Sequence, residues 1–89
     1  MPEITLPRGE LRELCLFGRQ TFWLDALGRV FRSQERKPLQ YVASSAERFF
    51  YDRLDPSLAA VYKLSDEGLR MYADFLERIA IMVRQGESQ

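Results

Sequence analysis

The pattern of apolar and polar positions changes period near residue 43. Before it, short apolar runs are broken by turns containing glycine or proline, as in a succession of strands. After it, apolar residues recur at steps of three and four behind capping residues, as in amphipathic helices. The 89 residues are expected to make one domain: a strand-rich half over 1–43, a helical half over 44–86 and a frayed tail over 87–89. The expected fold class is α+β, a small N-terminal antiparallel sheet of two to four short strands packed by two or three C-terminal helices.

Within the first half, Ile4-Thr5-Leu6 reads as a short edge strand and Pro7-Arg8-Gly9-Glu10 as a turn. Leu11 to Phe17 fits strand or helix. Its composition favours helix, but the unbroken run Leu14–Phe17 has strand length, and the reading adopted is strand. Gly18-Arg19 suits a two-residue hairpin turn, because glycine accepts the positive φ of its first position. Thr21–Asp25, rich in aromatic and β-branched residues, is the clearest strand. Ala26–Arg29 reverses the chain, with Gly28 left-handed, and Val30–Ser33 returns. Gln34–Pro38 reads as a polar connection and Leu39–Val42 as a further short strand.

In the second half, Ser44 and Glu47 have capping-box spacing ahead of Phe49, Phe50 and Leu54. Asp55-Pro56 marks a second helix start, predicting a short helix over Ser57–Lys63. Ser65 is a third N-cap, followed by Asp66 and Glu67 in a first turn that favours acids. Leu64 and Leu69 have the spacing of a hydrophobic staple. This last helix is predicted to run to Arg84 or Gln85 and to stop at Gly86.

Composition narrows the function classes. Hydrophobic residues are 46% and aromatic residues 12%, a globular balance that leaves a small domain with apolar surface to cover. Formal net charge is zero, which argues against a generic nucleic-acid surface. The halves differ mildly: seven cations and five acids fall in residues 1–43. No run approaches the length of a membrane span, and Met1-Pro2-Glu3 has no signal-peptide character, so the expected compartment is the cytoplasm. The chain has no histidine and one cysteine, which removes the commonest general base and any ordinary zinc site. Cys15, inside Leu14–Phe17, reads as a buried structural thiol. The paired acids sit where capping and solubility account for them, and the glycines are too scattered for a phosphate loop. No catalytic residue, cofactor or metal is expected.

Two surfaces remain as candidates. On the last helix Leu69, Tyr72, Leu76, Ile79, Ala80 and Val83 make one stripe, read as core. Met71, Phe75 and Met82 make a second, which extends the apolar arc beyond one face. Met71, Phe75 and Met82, with Phe50 and Tyr51 from the aromatic triplet at 49–51, are therefore the expected partner interface. The alternative is a nucleic-acid surface on the hairpins, using Arg19, Trp23, Arg29, Arg32, Arg36 and Lys37. The expected function is a small cytoplasmic protein-binding or regulatory accessory module, a non-enzyme that forms a homodimer or binds another protein. Nucleic acid is the alternative partner, and membranes and metals are not expected.

Overall fold

Turn chemistry lays out the sheet. In the computed structural model, which describes residues 5–54, 57 and 61–87, strand β1 (Arg12–Phe17) and strand β2 (Gln20–Leu24) are joined by Gly18-Arg19, with Gly18 at φ 58°. Strand β3 (Val30–Gln34) follows a turn in which Gly28 takes φ 81°. The segment over 34–38, expected as a polar connection, is a second tight hairpin. Gln34 pairs with Lys37, only Glu35 and Arg36 lie between, and strand β4 (Lys37–Ala43) starts with Pro38 inside it. Proline is tolerated there because β4 is the edge of the sheet among the described residues.

Helix α1 (Ala46–Arg53) begins one residue later than the capping-box spacing placed it. Ser45, not Ser44, is the N-cap, and its Oγ accepts from the Arg48 amide at 3.1 Å. The predicted start at Asp55-Pro56 and positions 58–60 of the predicted helix over Ser57–Lys63 lie outside the described residues, as does Ile4; of the rest, Ser57, Val61 and Tyr62 are not helical and Lys63 is in a strand, which corrects that helix. Thr5 and Leu6 have no strand pairing among the described residues. Lys63 and Leu64 form a two-residue strand, β5, antiparallel to β1 through Cys15↔Leu64 and Leu16↔Lys63. The described sheet thus has five strands in the order β4-β3-β2-β1-β5, one more than expected.

Helix α2 (Asp66–Glu87) is capped as predicted: the Ser65 hydroxyl accepts from the Gly68 amide at 2.9 Å. It runs through Gly86 instead of stopping there. Gly86 keeps a negative φ; glycine inside a helix costs about 1 kcal/mol but does not terminate it unless the chain reverses.

Both helices cover one face of the sheet. A register shift between Glu13 and Cys15 turns two consecutive residues, Leu14 and Cys15, into that core. They join Phe22, Leu24, Val30, Phe49, Phe50, Tyr72 and Phe75. The opposite face carries its own aromatic row, because Trp23 pairs with Phe31 and Phe31 with Tyr41. Phe31 is fully buried there, edge-on to Tyr41 and with the Arg29 guanidinium 5.6 Å from its ring centre.

Gly68 sets how α2 sits. A Cβ at this position would run into the Leu14 carbonyl oxygen, so the helix approaches β1 backbone-close along the arc of Gly68, Tyr72 and Phe75. That arc decides which stripe is core. Tyr72 and Phe75 are buried and Ile79 packs against the core. Leu69, expected in the core stripe and in a staple with Leu64, is 54% exposed, and Leu76 and Val83 are also exposed.

Candidate functional site

The far end of α2 gathers exposed apolar side chains in one stretch. Ile79 is the last residue of the helix packed against the core, and the side chains from Ala80 to Gly86 are all exposed. Ile81, Met82 and Val83 are among them, Met82 at 69%. Between this overhang and α1 runs a groove of about 690 Å³ with Tyr51, Phe75, Ile79, Met82 and Val83 along its walls.

The charges around the groove are internally matched. Arg78 on α2 donates to Glu47 on α1 at 2.8 Å and ties the two helices together. Arg48 pairs with Asp52 one turn on at 3.0 Å, and its guanidinium lies 5.7 Å from the Tyr51 ring centre. The rim therefore presents little net charge, and the apolar walls are its main attraction for a ligand.

The residues expected to form a partner interface divide between core and surface. Phe50 is 1% and Phe75 8% exposed, which corrects their expected outward placement. The approach fixed by Gly68 turns Phe75 inward, where its ring lies 5.6 Å from that of Phe50, and Phe75 shows only an edge to the groove. Tyr51 and Met82 are exposed on opposite walls of the groove. Met71 is half-buried and lines a smaller hollow of about 300 Å³ beside Leu27. Ile79, Ile81 and Val83 were not expected at the interface. Their signal in the sequence is an apolar periodicity that outruns the sheet beneath it.

The candidate nucleic-acid residues do not gather on one surface. Trp23 lies on the open face with Phe31, whereas Arg32 pairs with Phe22 on the helix-covered side and bonds to Gln40. Trp23 Nε1 donates to Ser33 Oγ at 2.9 Å. Arg29 is engaged by Asp25 and by the Leu6 carbonyl. Arg19, Arg36 and Lys37 are exposed at hairpin ends.

Two titratable groups are strongly perturbed, and both serve the fold. Burial pushes the Cys15 thiol up to about 12, and the neighbouring Glu13 carboxylate adds to this. Burial also pushes Asp25 up, but hydrogen bonds from the Arg8 amide, the Arg29 side chain and the Arg29 amide outweigh it and hold the carboxyl at about 2. Asp25 is the only buried charged residue among the described ones. In the sequence Asp25 stands only as a strand end; its signal is an Asp four residues before an Arg across a glycine turn.

Among the described residues no helix is long and apolar enough to cross a membrane, and no cluster of histidine, cysteine or acidic side chains is arranged to hold a metal ion. Comparison with family models, with curated proteins and with solved structures returns no match.

Proposed function

We propose that this chain is a small regulatory, protein-binding module that works without catalysis and self-associates through the exposed half of its C-terminal helix. One observation carries the reading: α2 keeps its apolar character for about one turn beyond the last residue it packs on the core, leaving Ile81, Met82 and Val83 in solvent. Burying such side chains gains about 1.5–3 kcal/mol each. A small domain has little other surface to fold over them, and a second copy supplies one that is apolar in the same place. The cytoplasm is the proposed compartment, since the buried free thiol of Cys15 needs no oxidising environment.

Sedimentation equilibrium at increasing concentration tests the reading. The unmodified chain is expected to dimerise reversibly at micromolar to high-micromolar concentration. Val83→Glu, on an exposed site, should stay folded by circular dichroism and associate more weakly. A chain that remains monomeric at every concentration overturns the proposal.

A further inference from the structure

We infer that two copies pair through the last turns of α2 in antiparallel orientation, with Val83 of each seated on Ala80 of the other and Glu77 of each opposite Arg84 of the other. The inference rests on the self-association proposed above and specifies its geometry: of the exposed apolar residues at the helix end, Val83 enters the seam, while Ile81 and Met82 lie on other sides of the helix.

Along the side of α2 that faces solvent, Leu69, Leu76 and Val83 recur every seven residues, and Ala73 and Ala80 recur every seven residues beside them; all five are exposed. A seven-residue repeat of large and small apolar side chains is the pattern of a helix that meets another helix. The alanines let two helices come close, and each large side chain then fills the space over a small one on the facing helix. Within α2, Tyr72 and Ile79 supply the neighbouring packing into the chain's own core, so the outer row is what a second helix would use.

Charge chooses orientation and register. Glu77 and Arg84 are seven residues apart, so they lie on the same flank of this row. Neither takes part in the ion pairs described within the chain, which are Arg12–Glu67, Arg29–Asp25, Arg48–Asp52 and Arg78–Glu47. A parallel pair in register would set Glu77 against Glu77 and Arg84 against Arg84. An antiparallel pair centred near Ile81 sets Glu77 against Arg84 twice, and the same centre brings Val83 over Ala80 twice. The overhang makes this arrangement accessible, because the contact lies beyond the turns that pack on the sheet and the two bodies sit at opposite ends of the pair. A seam of this length is smaller than the roughly 1,200–2,000 Å² of a stable interface, so the dimer is a weak, exchanging one.

Charge reversal separates this geometry from self-association in general. Glu77→Arg alone and Arg84→Glu alone each place like charges at both contacts and should weaken dimerisation roughly tenfold at low salt, an effect that shrinks as salt is added. The double variant should return to within about twofold of the unmodified chain. An equimolar mixture of the two single variants should associate more tightly than either alone. Dimerisation that is unchanged in the single variants, or weakened without recovery in the double variant, overturns the antiparallel seam and leaves self-association standing. Absence of any dimer in the unmodified chain overturns both.

Discussion

The backbone amide of Arg8 donates to the buried carboxylate of Asp25 at 3.0 Å, across 17 residues of sequence. Asp25 also accepts from the amides of Leu27 and Arg29 and from two nitrogens of the Arg29 guanidinium. One side chain thus closes the β2–β3 turn and fastens the N-terminal segment to it. Asp25→Ala would leave these donors without their acceptor and is expected to cost about 3 kcal/mol, read as a lower urea midpoint. Because the folded pKa, about 2, lies below the ordinary 3.8, the ionised carboxylate favours the folded state. Its contribution is complete above about pH 4 and is lost as pH falls toward 2. In Asp25→Ala that part of the acid dependence should be missing. A variant with unchanged acid dependence would show that the carboxylate does not anchor the turn.

Gly68 sits where α2 meets the β1 backbone. Gly68→Ala should raise helix propensity by roughly 1 kcal/mol, but its methyl group meets the Leu14 carbonyl. A carbonyl within a paired strand yields little, so a net loss of about 2 kcal/mol is expected. Thermal unfolding of the variant decides the sign, and a stabilised Gly68→Ala would mean that α2 rides higher on the sheet than described.

Arg36 is the one described residue other than glycine with positive φ, at 62°. The left-handed conformation costs an L-residue about 1–2 kcal/mol, and part of any gain at glycine is cancelled by its freedom in the unfolded chain. Arg36→Gly should therefore stabilise the protein by about 0.5–1 kcal/mol, a rise of a few degrees in Tm. No rise would remove strain at the β3–β4 turn from the account.

Cys15 is fully buried between β2 and β5, with its thiol pushed up to about 12. At neutral pH it should resist thiol reagents in the native protein and react only on unfolding. Cys15→Ala should cost about 1 kcal/mol and leave self-association unchanged. Rapid labelling of the folded chain would contradict the burial of this strand.

The division into strands and helices was legible because it is written in local chemistry: Gly18 and Gly28 for turns, Ser65 for a helix start. What was not legible depends on distant contacts. Lys63-Leu64 is too short to show a period and is a strand only because β1 lies beside it. The core face of α2 is not legible from periodicity because two apolar arcs adjoin, and the choice between them is made by Gly68 against Leu14, residues far apart in the chain. The same gap explains the groove. The sequence marks Tyr51 and Met82 as interface candidates, but that they stand on facing walls follows from how α1 and α2 pack.

The strand order carries a consequence for synthesis. Strands β1 to β4 are joined by tight turns and can assemble as the nascent chain emerges, since each pairs with its immediate successor. One flank of β1 waits much longer, because its partner β5 follows α1 in the chain. Until Leu64 reaches Cys15, that flank offers unpaired backbone groups and Leu14 lacks the helix that shields it, the state in which strands of different molecules stick together. A ribosome that stalls or a protease that cuts before residue 64 would release a sheet with a sticky side, so the last quarter of the chain acts as a chaperone for the first.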